Sequence, residues 1–225
     1  MSIQCLARLG GQVQGIDASE SNIKIASLHA SQDPKLSNLS YRHCAAEDLV
    51  GQGEQFDVVC SMEVVEHVDD PQNFLRSLSD LTKVHSLPFF AALLPDSHLQ
   101  PACAVSFVLL GSSIVLIHWS SQPGGHLILS TISRTPLAKL LTITLAEHPL
   151  FGFVSPGTHN YSKYLKPAEL TSFVKTLGFT NVETRGVIYH PLQSDWVLQE
   201  KGRGREMVNY FFGARKPLGR EMMVL

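Results

Sequence analysis

Two glutamates and a histidine lie close together directly after a short apolar run. Glu63, Glu66 and His67 stand at spacings of i, i+3 and i+4, which bring three side chains together if the segment makes one helical turn. Two carboxylates and an imidazole at the end of a strand could bind a divalent cation, and oxygen ligands favour Mg²⁺. The same spacing also fits a turn that Glu66 and His67 merely cap while pairing with neighbours. Both interpretations stay open at this point.

A single acidic residue, Asp17, follows an earlier apolar run and precedes a helical pattern. In nucleotide-binding α/β sheets, a carboxylate at the end of a strand accepts hydrogen bonds from both ribose hydroxyls. An Asp before a helix can equally be an ordinary N-cap. Position alone therefore does not decide between a nucleoside site and a cap.

The elements that would position these residues alternate between strand and helix. The hydrophobic patterns predict strands over residues 12–16, 39–44, 55–60, 126–132, 182–184 and 187–189. They predict helices over residues 4–9, 19–29, 45–50, 71–83 and 167–177, and a turn over 123–125. The strongest start signal is Asp69-Asp70-Pro71, because a proline in the first turn loses no hydrogen bond. This alternation predicts an α/β fold with a doubly wound, mostly parallel sheet.

Composition limits the class of protein more than its function. The chain has 225 residues, of which 44% are hydrophobic and 17% charged, as expected for one soluble globular domain with a sizeable core. A net charge of −2 gives no basic surface for phosphates, so we expect no nucleic-acid partner. The four cysteines are scattered, which predicts reduced thiols rather than a zinc knuckle or a disulfide framework.

Five motifs occur in a distinctive order: GID at a strand end, AAEDL after the next strand, then FDVVCSMEVVEHVDDPQNFL, PGGHLILSTI and PGTHNYSKYLKPAEL. In this order they resemble the ubiquinone-biosynthesis O-methyltransferase family of class I S-adenosylmethionine-dependent methyltransferases. The resemblance covers residues 4–217 apart from one internal stretch. It implies a Rossmann-like fold, one methyltransferase domain over residues 1–225, and S-adenosylmethionine and Mg²⁺ as cofactors.

The resemblance also implies roles for individual residues. Asp17 would hold the ribose hydroxyls, Glu47 and Asp48 would approach the adenine, and Met62 would lie beside the cofactor. The family's metal-binding cluster matches Glu63, Glu66 and His67. His67 could alternatively take the phenolic proton, because its ordinary pKa lies near neutral pH. The segment Gly157-Thr158-His159, with Tyr161 and Lys163, would belong to the region that covers the substrate pocket.

The substrates implied by the resemblance are polyprenylated catechols and quinols, namely polyprenyl-dihydroxybenzoate and demethylubiquinol. Family members join a complex with other ubiquinone-biosynthesis proteins at the matrix face of the mitochondrial inner membrane, which they contact peripherally. A metal-dependent hydrolase built on the same Glu/Glu/His trio is disfavoured, because no nucleophile or second metal set accompanies it.

The first departure from the family is at the start of the chain. The family begins with a central strand and a glycine-rich loop that contacts the cofactor, whereas Met1 falls within the helix that should follow that loop. We therefore expect two unpaired strand edges in the core, at a cost of roughly 1–3 kcal/mol for each unpaired buried group. This predicts weak cofactor binding, and it leaves open a truncated isoform that binds partners as a scaffold without turnover.

The second departure is an insert, residues 84–122, that has no counterpart in the family. Lys83 should join Pro123 directly. Valine codons begin with GT and one glutamine codon is CAG, so Val84 and Gln122 fit the boundaries of an intron retained in frame in a eukaryotic transcript. Sequencing that transcript tests the hypothesis. A rival interpretation takes residues 102–119 as a membrane segment, but a span in the middle of a sheet would divide its core.

Overall fold

The fold is built on one mixed sheet, which a computed structural model describes together with its helices over residues 2–84, 113–118, 125–149, 154–190, 195–199 and 208–217. The strands of the described residues are β1 (Gln12–Asp17), β2 (Leu39–His43), β3 (Val58–Met62), β4 (Ser113–His118), β5 (Gly125–Ile132), β6 (Thr180–His190), β7 (Asp195–Gln199) and β8 (Asn209–Lys216). Their order across the sheet is β2-β1-β4-β3-β5-β8-β6-β7.

Five of these eight strands run in one direction: β1, β2, β3, β5 and β6. β4 is antiparallel to both of its neighbours, β8 to β5 and β6, and β7 to β6. The carboxyl ends of β1, β2, β3 and β5 meet along one edge, which we call the site edge. The predicted α/β, Rossmann-like class with a mostly parallel sheet is confirmed.

The helices flank the sheet. They are α1 (Ser2–Arg8), α2 (Glu20–Ser31), α3 (Ala46–Gly51), α4 (Pro71–Leu81), α5 (Pro136–Ala138, continued by the π-helical Lys139–Leu145) and α6 (Pro167–Thr176). The predicted start of α4 is confirmed: the Asp70 carboxylate accepts a hydrogen bond from the Asn73 N–H at 3.0 Å, and Pro71 follows it. α4 buries an apolar stripe at helical spacing, Phe74, Leu75, Leu78 and Leu81.

The expectation of two unpaired strand edges in the core is wrong. β4 falls within residues 84–122, the predicted insert; it lies between β1 and β3 and pairs with both. It therefore satisfies the backbone groups on the facing edges of β1 and β3. Residues 113–118 of the rival membrane segment belong to this strand, and the other residues of that segment lie outside the described part of the chain. No helix within the described ranges is long and apolar enough to cross a membrane.

Two hydrophobic clusters lie on opposite faces of the sheet. Alternate residues of β3 and β4 point to each of them: Val59 and Leu116 to one cluster, Val58 and Ile117 to the other. Both faces of the central strands are thus covered by helices, as in a doubly wound fold.

Other predictions differ in their bounds. The two strands predicted at 182–184 and 187–189 form one strand, β6, because Arg185 and Gly186 continue its pairing with β8. The third strand is shifted to Val58–Met62. Pro123 and Gly124 of the predicted turn lie outside the described residues. Cys5, Cys44 and Cys60 are free thiols, and burial raises the pKa of Cys60 to about 12.

Candidate cofactor and active site

A pocket of about 370 Å³ opens at the site edge, beside the ends of β1 and β2. Three acidic residues, Asp17, Glu47 and Asp70, line it together with apolar residues that include Val64 and Phe74. A mainly apolar cavity with a few placed polar groups is typical of a small-molecule site. The structure therefore brings two of the four predicted cofactor residues to one cavity.

Asp17 is held in place by the beginning of α2. Its Oδ1 accepts a hydrogen bond from the Ser19 N–H at 2.7 Å, and its Oδ2 accepts one from the Asn22 side-chain amide at 3.0 Å. Ser19, not Asp17, is the N-cap of α2. Because each carboxylate oxygen can accept a further hydrogen bond, Asp17 is fixed in orientation and still able to bind a hydroxyl in the pocket.

The other predicted cofactor residues lie in different environments. Glu47 lines the pocket, and its Oε1 accepts a hydrogen bond from the Ser77 hydroxyl at 3.4 Å. Asp48 caps α3, because its Oδ2 accepts a hydrogen bond from the Ala45 N–H at 2.9 Å. Met62 is 3% exposed and packs in the cluster that contains Ile3. Neither Asp48 nor Met62 is among the residues that line the pocket, and their cofactor roles stay predictions.

The segment after β3 does not form the single helical turn that would bring Glu63, Glu66 and His67 together. Glu63 has a φ of 51°, in the left-handed region, and its N–H donates to the Ser130 carbonyl oxygen at 3.0 Å. The turn begins only after it, where the His67 N–H donates to the Val64 carbonyl oxygen at 2.8 Å. An unusual backbone conformation in a non-glycine residue is held by its surroundings, here by β5.

Glu63 and Glu66 nevertheless form a buried carboxyl pair. The Glu66 Oε2 accepts a hydrogen bond from the Thr131 hydroxyl at 2.9 Å, and the Glu63 Oε2 accepts one from the Asn209 amide at 3.4 Å. Their Oε1 atoms are buried and find no hydrogen-bond partner among the described residues. Burial raises the pKa of both carboxyls, and the neighbouring charge of Glu63 raises the pKa of Glu66 further.

His67 lies apart from this pair, exposed to solvent. Its ring centroid is 5.8 Å from that of His159, and partial desolvation followed by the charges of His159 and Lys163 lowers its pKa. Within the described ranges, no three His, Cys, Asp or Glu side chains form a group that could hold a metal ion. The two carboxylates alone have the oxygen chemistry that a divalent cation requires, and the metal role of the trio stays a prediction.

Glu147, which no pattern in the sequence indicated, organises the loop around His159. Glu147 is 7% exposed, its Oε2 accepts a hydrogen bond from the Gly157 N–H at 2.6 Å, and its Oε1 accepts from the His159 N–H and Nδ1, both at 2.8 Å. Burial alone would raise the pKa of Glu147, but these hydrogen bonds and the His159 charge outweigh it and lower the pKa. One carboxylate thus orients the imidazole of His159 and the backbone around it.

We expect Glu147 to make the stability of this protein sensitive to acid. Since its folded pKa lies below the ordinary value of 4.5, its contribution is present above that pH and is lost as the pH falls through the folded value. Thermal melts at pH 7 and pH 3.5 measure this. Glu147→Gln should have a lower melting temperature than the parent at pH 7, and this difference in melting temperature should be smaller at pH 3.5. An equal difference in melting temperature at both pH values would contradict a stabilising role for the Glu147 charge.

The N-terminal part of the chain is similar to a known family of domains. Residues 1–88 match the family model described as "Methyltransferase domain". The chain is 38% identical over 222 residues to the "Ubiquinone biosynthesis O-methyltransferase, mitochondrial" of Schizosaccharomyces pombe, covering 96% of this chain and 65% of the relative. It is 34% identical to the "Ubiquinone biosynthesis O-methyltransferase" of Dinoroseobacter shibae, and the alignment covers 94% of this chain and 67% of that relative. A mitochondrial relative from Arabidopsis thaliana is 33% identical, with 53% of its length covered.

Solved structures agree on the fold. A methyltransferase of Thermotoga maritima, described as a possible histamine N-methyltransferase, superposes with a TM-score of 0.52 over 89% of this chain and 72% of that chain, at 15% identity. A protein from a study of thioacetal formation in echinomycin biosynthesis superposes with a TM-score of 0.55. The superposition covers 98% of this chain and 72% of that chain, also at 15% identity. These likenesses concern architecture alone. The chain spans about two thirds of the length of the first two curated relatives.

Proposed function

Because this chain belongs to the ubiquinone biosynthesis O-methyltransferase family, we propose that it transfers a methyl group from S-adenosylmethionine to a catechol hydroxyl. The observation that carries this proposal is the pocket at the site edge, in which the fixed carboxylate of Asp17 faces apolar walls. In α/β sheets of this type, ligands bind at the carboxyl ends of the strands.

The pocket supports the binding of the nucleoside part of the cofactor. Asp17 would accept hydrogen bonds from the two ribose hydroxyls, and the apolar side chains of Val64 and Phe74 would contact the adenine ring. Glu47 lies at the same cavity and would hydrogen-bond a polar edge of the nucleoside. Orientation by these fixed groups is the main contribution that a protein makes to a transfer between two bound molecules.

The buried carboxyl pair supports a divalent cation beside the substrate. Glu63 and Glu66 would hold Mg²⁺ through their oxygens, since a bound cation would satisfy the Oε1 atoms that find no partner among the described residues. When bound, the ion lowers the pKa of a catechol oxygen by polarising it. His67 would accept the phenolic proton, because its lowered pKa leaves the imidazole neutral at neutral pH.

The natural substrates would be polyprenylated catechols and quinols, and the site of action the matrix face of the mitochondrial inner membrane. Two of the relatives are named as mitochondrial proteins. Three leucines of the π-helical segment, Leu140, Leu141 and Leu145, are 40–46% exposed, which supports peripheral contact with a lipid surface. Other ubiquinone-biosynthesis proteins would be its partners there.

Calorimetry and a methyl-transfer assay on the purified chain test the proposal. We expect heat of binding with S-adenosylmethionine and with S-adenosylhomocysteine, and methylation of a short-chain prenyl dihydroxybenzoate. Turnover should fall when EDTA is added and return with Mg²⁺. No heat at millimolar cofactor would defeat the proposal and favour a scaffold without turnover. If EDTA did not change turnover, the proposed role of Mg²⁺ would be excluded, and the proposed methyltransferase activity would stand.

A further inference from the structure

The central strand of the sheet comes from the insert. β4 pairs through five residues with β1 and five with β3, antiparallel to both. Without it the sheet would divide into a two-stranded part, β2-β1, and a five-stranded part beginning with β3. Both new edges would present unpaired N–H and C=O groups inside the protein.

The side chains of β4 join the two hydrophobic clusters. Ile114 and Leu116 pack in the cluster on one face, and Val115 and Ile117 in the cluster on the other. These four side chains are at most 8% exposed. A strand buried on both faces contributes to both cores at once, and burial of each side chain of this size stabilises the fold.

Lys83 and Gly125, on either side of residues 84–124, lie side by side. Gly125 lies so close to Lys83 that a Cβ on Gly125 would be 1.8 Å from the Lys83 carbonyl oxygen. The chain on either side of this stretch therefore meets at one point, and β4 is the strand that the stretch contributes to the described fold.

One residue of β4 also reaches the pocket. Ile114 pairs with Ile16 of β1 and with Ser61 of β3, and its side chain lines the cavity together with Asp17 and Phe74. The insert is therefore physically part of the candidate nucleoside site.

We propose that residues 113–118 act as an internal donor strand, which joins the two parts of the sheet and supplies, through Ile114, one wall of the nucleoside pocket. Ligand binding in the pocket and pairing of β4 with its neighbours then stabilise each other, because a ligand that binds only the assembled pocket stabilises the assembled state. The pocket-wall role rests on the proposed function, whereas the strand role does not.

Native-state hydrogen exchange on the full chain tests the strand role. The amides of residues 114–117 should open with the same free energy as those of residues 58–62 of β3, as one cooperative unit. Exchange of residues 114–117 at the rate of an exposed loop, while β1 and β3 stay protected, would overturn the proposal.

Calorimetry with S-adenosylhomocysteine tests the pocket wall. Ile114→Ala removes apolar contact with the ligand and should weaken binding roughly five- to tenfold. The matched control is Ile117→Ala, which truncates the same side chain on the opposite face of β4 and should keep the Kd within about twofold. Equal Kd values for the two variants would exclude the wall role. Absence of binding by the parent would instead defeat the proposed function, and the exchange result would stand.

Discussion

Asp17→Asn is expected to weaken S-adenosylhomocysteine binding roughly 100-fold, as measured by calorimetry. The ionised carboxylate can accept two hydrogen bonds from the ribose diol, and hydrogen bonds to a charged group contribute about 1.5–3 kcal/mol each. Asparagine keeps one acceptor oxygen of the same shape but loses the charge and replaces the second acceptor with a donor.

The fold should tolerate this substitution. The amide oxygen of Asn can still accept the hydrogen bond from the Ser19 N–H, which Asp17 accepts at 2.7 Å. Glu20→Gln is the matched control: it removes one negative charge at the first turn of α2, from a side chain that is 62% exposed and paired with Lys24. It should leave the Kd within about twofold. An equal loss of affinity in the two variants would show that net charge near α2, not the contact with the ribose diol, governs affinity.

Gly125→Ala should lower the free energy of unfolding by about 3 kcal/mol or more. A Cβ at this position would lie 1.8 Å from the Lys83 carbonyl oxygen and 2.9 Å from the Thr82 Cγ2. The first of these contacts involves backbone, so the start of β5 has to move away from residues 82–83. That movement strains the pairing of β5 with β3 and β8, which begins at this point.

Urea unfolding compares Gly125→Ala with Gly51→Ala. Gly51 ends α3 and has no heavy atom within 4 Å of an added Cβ, so this control should be neutral or more stable by up to about 1 kcal/mol. A midpoint for Gly125→Ala equal to that of the parent would mean that Lys83 and Gly125 are not in contact in solution.

Much of the fold could be predicted because its signals are local. The cap at Asp70, the proline after it and the apolar stripe of α4 lie within a few residues of one another and specify a helix by themselves. The position of Asp17 at the end of a strand is equally readable. These features depend on neighbours in sequence, which periodicity and capping rules describe.

The role of β4 could not be predicted, because residues 114–117 form an apolar run without alternation between polar and apolar positions. Such a run fits a buried strand or a helix equally well. Its antiparallel direction and its place between β1 and β3 are set by pairing with strands distant in the chain.

The candidate site could be predicted only in part, because some of its contacts also join residues that are distant in the chain. The left-handed conformation of Glu63 is imposed by β5 and leaves no trace in the local sequence. Glu147 was missed because its contacts with the loop at His159 arise only in three dimensions. Spacing identified which residue types cluster, and the backbone path decided which of them meet.

The position of β4 also governs the order of assembly. Gly15 of β1 pairs with Val115 of β4, about 100 positions later in the chain, and such distant pairing slows folding. During synthesis, β1, β2 and β3 all leave the ribosome before the strand that unites them. Until residue 118 has emerged, the β1–β2 pair and the single strand β3 each present an edge that β4 has yet to cover, and exposed strand edges favour aggregation.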